Sequence, residues 1–136
     1  MSSELDAVKD VYEAFGRGDV PAVLGAMAED VEWNEAEGMP YGGTYHGPQA
    51  VLENVFGPIL EDVDGFTVSP QRYVGEGETV ISLGRYTGTG KATGRALDVP
   101  FAHVWELRDG KVARFTQHVD TAKFVDAVLA RQAGAV

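Results

Sequence analysis

Polar residues interrupt an otherwise apolar strand pair between residues 101 and 120, FAHVWELRDGKVARFTQHVD. The Asp109-Gly110 dipeptide predicts a tight turn that folds this segment into a β-hairpin. Because side chains alternate between the two faces of a strand, His103 and Gln117 fall on the more apolar face, which we expect to point inward. The apolar residues that share this face are Phe101, Trp105, Leu107, Phe115 and Val119. An imidazole and an amide in such a place can contact a ligand, or can be satisfied by neighbouring polar groups.

Two further titratable residues lie at the end of the same hairpin. His118 falls on the outer face, toward solvent or a partner. Asp120 follows the outer face by strict alternation, but a bulge or a helix start at the strand end can turn it inward. It is therefore a candidate acid–base group, and its alternative role is to cap the helix expected to follow.

A third candidate group comes from the segment VEWNE, residues 31–35, which alternates and is predicted to form a strand. Trp33 and Glu35 share one face, and Trp33 is expected to point inward. Glu35 then lies inside the enclosed space or at its mouth. A carboxyl group in apolar surroundings has its pKa raised toward neutral pH, which suits a general acid or base. The alternative for Glu35 is a solvated position at the rim.

The elements that must position these groups follow from periodicity and capping signals. Helices are predicted over residues 4–17, after Asp19, from Pro48 to about Asp62, and after Asp120-Thr121. Tyr12 lies on the apolar stripe of the first helix, as a packed aromatic residue or as a hydrogen-bond donor. The later strands are predicted over residues 66–74, 79–89, 96–107 and 112–119, joined as an antiparallel meander. We expect one α+β domain spanning residues 1–136, with helices on one face of a curved antiparallel sheet.

Composition excludes several classes of function. The 136 residues carry 21 acidic and 11 basic side chains, for a formal net charge of −10, so nucleic acid and membrane surfaces are not expected partners. Cysteine is absent, which excludes thiolate chemistry and zinc–thiolate sites. The three histidines lack a short metal-ligand spacing, and neither a metal nor an organic cofactor is expected. The first residues, MSSE, do not resemble a signal peptide, so a cytoplasmic location is the expectation.

Four segments together resemble the NTF2-like superfamily, and within it the SnoaL-like and ketosteroid-isomerase-related proteins. They are FGRGD at 15–19, AEDVEW at 28–33, YHGPQAVLENVF at 45–56 and HVWELRDGKVARFTQHVDT at 103–121. The resemblance implies a cone-shaped fold, in which a strongly bent sheet wraps around the helices and encloses an apolar pocket. It also implies a homodimer formed through the outer face of the sheet.

The resemblance implies roles for particular residues as well. His103 stands near an Asp of ketosteroid isomerases that donates a hydrogen bond to the substrate oxygen, and Tyr12 stands near a helix tyrosine with the same role. The base on the first strand of those enzymes has no clean counterpart, since Trp33 stands near its position; this departure argues against steroid isomerisation itself. Asp120 resembles the aspartate late in the last strand that polyketide cyclases of the family use. Tyr45, with Tyr41, is expected at the pocket rim.

Two classes of function follow. The first is a small-molecule pocket protein that catalyses isomerisation, cyclisation or dehydration of an apolar carbonyl compound, with Glu35, His103 and Asp120 as acid–base groups. The ligand-contacting residues would be Tyr12, Trp33, Tyr45, Phe101, Trp105, Phe115 and Gln117. The second class is a non-catalytic ligand-binding or dimerisation module. A third reaction, epoxide hydrolysis, needs an inward arginine, and the strand arginines offer no clear candidate.

Overall fold

The computed structural model describes residues 3–129. Two helices, two strands and a run of short helical segments precede four long strands and a last helix. The helices are α1 (Ser3–Gly16), α2 (Val20–Gly25), α3 (Pro48–Val51), α4 (Gly57–Asp62) and α5 (Thr121–Val128), and a π-helical turn, Leu52–Phe56, joins α3 to α4. The strands are β1 (Met27–Glu35), β2 (Gly43–His46), β3 (Val63–Glu76), β4 (Thr79–Gly90), β5 (Ala96–Arg108) and β6 (Lys111–Val119).

The first two helices form as their sequence signals predict. Val8, Val11 and Tyr12 of α1 recur at spacings of three and one and are buried against the sheet, while the opposite face of the helix is exposed. The Asp19 side chain caps α2 by accepting a hydrogen bond from the Ala22 backbone N–H at 3.1 Å. Both helices therefore cover the concave side of the sheet with their apolar faces.

All six strands belong to one curved, unclosed sheet with the order β2-β1-β6-β5-β4-β3. The pairs from β3 to β6 are antiparallel, which confirms the predicted meander. The sheet is not wholly antiparallel, however, because β1 pairs with β6 in the parallel direction. Tight turns reverse the chain between the meander strands, whereas β1 joins the free edge of β6 from far away in sequence, so no turn sets its direction.

The hairpin between β5 and β6 has the predicted turn. Asp109 and Gly110 both have positive φ, 52° and 76°, as a two-residue hairpin turn of the primed type requires. The turn pairs Arg108 with Lys111, and an irregularity between Leu107 and Glu106 then shifts the register by one residue, so that His103 lies opposite Gln117 and Trp105 opposite Phe115. The inward direction of His103 and Gln117 is confirmed, since both are buried, whereas His118 is exposed on the outer face.

The buried apolar side chains form two clusters beneath the helices. The first lies between α1, α2, the segment 48–62 and the sheet, with Trp33, Trp105 and Phe115 at its centre. The second lies under α5, where Phe124 packs with Leu97, Val99 and Phe101. The cavity described next is lined mainly by the first cluster, together with Ile59 and Tyr86 of the second.

Candidate functional site

Three polar side chains form a row across the inner face of the sheet. Ser82 of β4 pairs with His103 of β5, and His103 pairs with Gln117 of β6. Strand parity alone places them on the same face, because directly paired residues in neighbouring strands point the same way. All three are buried, with exposed fractions of 0%, 3% and 4% respectively. A buried row of this kind requires polar partners.

A small cavity lies between this row and the helices. Its volume is about 60 Å³, enough for a few water molecules or a small organic fragment but well below the several hundred cubic ångströms of a typical ligand pocket. The wall is mostly aromatic and aliphatic, and its polar members are Tyr12, Glu35, Tyr86, His103 and Gln117. The apolar members are Val11, Phe15, Val23, Trp33, Val55, Phe56, Ile59, Phe66, Val68, Trp105 and Phe115. The cavity therefore combines apolar walls with a few convergent polar groups.

His103 is bonded through both ring nitrogens. Its Nδ1 lies 2.6 Å from the Tyr12 hydroxyl, and its Nε2 lies 2.5 Å from the Tyr86 hydroxyl. The ring stacks on Phe101 with a centroid distance of 3.9 Å. Burial holds the pKa of His103 well below its ordinary value of 6.5. His103 is thus a neutral, saturated bridge between two tyrosines.

Tyr12 and Tyr86 extend the hydrogen bonds in both directions. The Tyr12 hydroxyl contacts Ser82 Oγ and accepts from Trp105 Nε1 at 3.0 Å. The Tyr86 hydroxyl accepts from Gln117 Nε2 at 2.9 Å. Burial raises the pKa of both tyrosines, so both hydroxyls keep their hydrogens at neutral pH.

Glu35 ends the network on the β1 side. Its carboxylate accepts from Trp33 Nε1 at 3.0 Å, and the Gln117 amide also bonds to it. The side chain is only 5% exposed, and no cation pairs with it in the described part of the chain. Burial raises the pKa of Glu35 from 4.5 to about 7, since the two neutral donors only partly offset the loss of solvation. This carboxyl group can therefore gain or lose a proton near neutral pH.

Most of the residues proposed from the sequence meet at this cavity. Glu35, His103 and Gln117 supply polar groups, and Glu35 lies inside the wall rather than at a solvated rim. Tyr12, Trp33, Trp105 and Phe115 also line the cavity, with Trp33 and Phe115 stacked at 3.8 Å between ring centroids.

Three of the expected site residues lie elsewhere. Tyr45 is turned toward its own loop, where its hydroxyl donates to the Tyr41 carbonyl at 2.8 Å. Phe101 packs in the second cluster and reaches the site through the rings of His103 and Tyr86. Asp120 caps α5, because its Oδ1 accepts from the Lys123 backbone N–H at 3.0 Å. None of the three belongs to the cavity wall, so the structure does not bring Asp120 together with Glu35 and His103.

The sequence interpretation missed Tyr86 and Ser82. Both lie on β4, a strand for which no inward face was predicted. Alternation along residues 79–89 would have placed Val80, Ser82 and Tyr86 on one face, and the structure buries all three. Alternation along β4 could therefore have predicted that Ser82 and Tyr86 point inward.

Among residues 3–129, histidine, aspartate and glutamate side chains form no cluster of three or more that is placed to bind a metal ion. Within the same residues, no helix has the length and apolar character needed to cross a lipid bilayer.

Known proteins similar to this chain share its whole fold. The family model of the SnoaL-like domain matches residues 8–115. The crystal structure of an NTF2-like protein of unknown function from Burkholderia pseudomallei K96243 is 34% identical with a TM-score of 0.89, covering 96% of this chain and 100% of that one. An NTF2-like protein from Burkholderia thailandensis E264 is 35% identical with a TM-score of 0.90 and the same coverage.

A third similar protein was crystallised together with a ligand. TerC, co-crystallised with polyporic acid, is 28% identical with a TM-score of 0.86, covering 95% of this chain and 100% of that one. Among curated proteins, none matches the sequence. The family match over most of the chain and the two relatives above 30% identity agree with the mixed sheet and its cavity: the chain belongs to the SnoaL-like family of the NTF2-like superfamily.

Proposed function

We propose that this protein binds a small apolar carbonyl compound in the cavity and moves a proton on it through Glu35. The reactions that fit are isomerisation, cyclisation and dehydration, each of which needs a proton removed from or returned to carbon or oxygen. The observation that carries the proposal is a single carboxyl group, with a pKa of about 7, on the wall of an aromatic cavity.

A carboxyl group in this state suits acid–base catalysis. Near pH 7 the protonated and ionised forms of Glu35 are both present, so the same group can take a proton and give it back. The mostly apolar walls strengthen any interaction with charge that develops on the ligand. Trp33 and Gln117 hold the carboxyl group in place through the hydrogen bonds described above.

The proposal changes the roles expected from sequence for the two other candidates. His103 has both nitrogens engaged by tyrosines and is neutral, so it acts as a positioning residue rather than as an acid or base. Asp120 serves as a helix cap away from the cavity. Proton transfer is therefore assigned to Glu35 alone.

The size of the cavity requires the wall to yield when a ligand enters. A volume of about 60 Å³ accepts only a small fragment, so a larger ligand must displace side chains. The π-helical turn Leu52–Phe56 supplies Val55 and Phe56 to the wall, and π-helical turns are often found at functional sites. TerC, a relative of the same fold, was co-crystallised with polyporic acid, which supports a small organic molecule as ligand.

A second candidate, a non-catalytic binding or dimerisation module, is favoured by the small cavity and by the outer face of the sheet. On that face Val74 and Leu83 are 47% and 36% exposed, and Ile81 and Val104 pair beside them. A second copy of the chain would cover these apolar side chains. Sedimentation of the Leu83→Asp variant tests this: a dimer through this face should dissociate, whereas Leu60→Asp, at a leucine on α4 that is 43% exposed, should not change the dimer.

Hydrogen–deuterium exchange on small cyclic ketones and enones in D₂O tests the catalytic proposal. The wild-type protein should accelerate exchange at the carbon next to the carbonyl, with a pH profile that bends near 7. Glu35→Gln should lower the rate by about 100-fold or more. Glu32→Gln is the matched control, because Glu32 lies on the same strand but outside the cavity, bonded to Arg114 at 2.7 Å. Equal exchange in wild type and Glu35→Gln would refute the assignment, and binding without exchange would favour the non-catalytic candidate.

A further inference from the structure

Four buried side chains are joined in a line by three hydrogen-bond contacts. Ser82 Oγ contacts the Tyr12 hydroxyl, the Tyr12 hydroxyl contacts His103 Nδ1, and His103 Nε2 contacts the Tyr86 hydroxyl. Only the Tyr86 end, the His103 ring and Tyr12 belong to the cavity wall, while Ser82 lies beyond it. The direction of the hydrogen bonds along this line decides what the cavity offers to a ligand.

Hydrogens outnumber contacts along the line. Ser82, Tyr12 and Tyr86 each carry one hydroxyl hydrogen, and neutral His103 carries one hydrogen on a ring nitrogen. The ring is neutral because it is buried and, among residues 3–129, no carboxylate contacts it. The three contacts use three hydrogens, so one hydrogen is left over.

Trp105 does not remove the surplus, because its indole N–H only donates. It reaches the Tyr12 oxygen at 3.0 Å and Ser82 Oγ at 3.2 Å. The surplus cannot lie on His103, whose ring hydrogen points along one of the two contacts whichever nitrogen carries it. It cannot lie on Tyr12 either, because the Tyr12 oxygen would then have to accept from Ser82, His103 and Trp105, one donor more than its two lone pairs allow. The surplus hydrogen is therefore left either on Ser82, with all bonds running from Tyr86 toward Ser82, or on Tyr86, with all bonds running the opposite way.

Gln117 fixes the other contact of Tyr86. The Ala36 backbone N–H, which can only donate, lies 3.1 Å from Gln117 Oε1 and so identifies that atom as the amide oxygen. The amide nitrogen therefore faces Tyr86 and donates to its oxygen at 2.9 Å. Gln117 consequently offers no acceptor for the Tyr86 hydrogen.

The two ends differ in what surrounds them. Ser82 is 0% exposed, and its hydroxyl contacts only Tyr12 and Trp105 in the described part of the chain. A surplus hydrogen there would stay buried without an acceptor, which is unfavourable. Tyr86 lies on the cavity wall, where water or a ligand can accept its hydrogen.

We propose that Tyr86 donates its hydroxyl hydrogen into the cavity, held in that direction by the Nε2–H form of His103, and thereby selects ligands with an acceptor oxygen such as a carbonyl or enolate oxygen. The selection of a ligand rests on the proposed function. Tyr86 and Glu35 bond to the same Gln117 amide, so the acceptor oxygen of the ligand lies beside the carboxyl group that moves the proton.

Nitrogen-15 NMR of the His103 imidazole tests the direction of the hydrogen bonds in the free protein, without any ligand. The one- and two-bond couplings between ring hydrogens and nitrogens identify the protonated nitrogen. We expect His103 to carry its hydrogen on Nε2 in the free protein. A hydrogen on Nδ1 would reverse every contact of the line and overturn the proposal, whatever the protein catalyses.

A pair of isosteric probes tests the selection of ligand. Cyclohexanone carries an acceptor oxygen, and methylenecyclohexane replaces it with a carbon group of similar shape. Wild type should bind the ketone more tightly than the alkene, and Tyr86→Phe should lower ketone affinity by about 5-fold while leaving alkene affinity unchanged. The control Tyr73→Phe should change neither, because Tyr73 packs against Tyr12 outside the cavity wall.

The outcomes separate this inference from the proposed function. A Tyr86→Phe variant that keeps the full preference for the ketone overturns the inference, even if Glu35 proves to be the acid–base group. Loss of the ketone preference in Tyr86→Phe supports it, even if Glu35→Gln leaves proton exchange unchanged. Should neither probe bind to the wild type, the protonated nitrogen of His103 decides the direction alone.

Discussion

The two polar ends of the cavity differ in whether they can exchange a proton near neutral pH, although burial favours the neutral form at both. At the β5 end, His103 loses its charged form, and two tyrosine hydroxyls complete its hydrogen bonds. At the β1 end, Glu35 also tends toward its neutral form, but its proton is lost near pH 7 because its donors are neutral and few. Burial thus makes the histidine inert and the carboxyl group responsive near neutral pH.

The two ends also have opposite effects on stability as pH changes. Between pH 4.5 and 7 the unfolded chain has lost the Glu35 proton that the folded protein retains, so a rise in pH lowers the free energy of unfolding. Below pH 6.5 the unfolded chain gains a proton at His103 that the folded protein does not. At this residue, therefore, a fall in pH lowers the free energy of unfolding. Removing either group should expose the contribution of the other.

The largest effect is expected at the histidine end. His103→Ala removes a ring stacked on Phe101 and leaves the Tyr12 and Tyr86 hydroxyls short of partners in a buried place. We expect a loss of about 3–5 kcal/mol in the free energy of unfolding, measured by urea denaturation. His118→Ala, on the exposed outer face of β6, should change it by less than about 0.5 kcal/mol. Equal small effects at both sites would mean that the network contributes little to the fold.

The next largest effect is expected at the carboxyl end and depends on pH. Glu35→Gln keeps the shape of the protonated carboxyl group but cannot ionise. Relative to wild type, the variant should gain up to about 3 kcal/mol of stability as pH rises from 4.5 to 7, and little beyond. Denaturation of both proteins across this pH range measures the difference, with Glu32→Gln as the control. A difference that stays constant with pH would contradict the raised pKa of Glu35.

The smallest effect is expected at Asp120, away from both ends. Asp120→Ala should lower stability by about 1 kcal/mol through loss of the α5 cap, as Asp19→Ala should at α2. Asp120→Asn retains a capping oxygen but has no titratable proton, so its stability and its activity should stay close to those of wild type. A strong loss of activity in Asp120→Asn at unchanged stability would mean that Asp120 takes part in the reaction.

Strand parity explains which parts of the site were predictable from sequence. In β5 and β6, alternation and the more apolar face of each strand predicted that His103 and Gln117 point inward, without use of the register, which shifts by one residue near the turn. The same rule predicted that His118 points outward. For Glu35, alternation predicted which face of the strand it lies on but not whether the side chain is solvated. Its solvation depends on how the loop after β1 covers it.

Other features depend on contacts between distant segments and were not predictable in the same way. The parallel pairing of β1 with β6 is set by packing rather than by a turn. Tyr45 and Asp120 bond to nearby backbone groups, and this local satisfaction keeps both away from the cavity. The inertness of His103 requires two tyrosines from α1 and β4, of which only Tyr12 was noticed.

The titration of Glu35 itself is the sharpest test of whether this carboxyl group is the acid–base group of the cavity. Carbon-13 NMR of the side-chain carboxyl carbon, assigned by comparison with Glu35→Gln, follows its ionisation in the folded protein. We expect the midpoint of the Glu35 titration near pH 7, because burial raises its pKa well above the ordinary value of 4.5. A midpoint near 4.5 would mean that the carboxyl group is solvated and ionised at neutral pH, and would contradict its role as the acid–base group of the cavity.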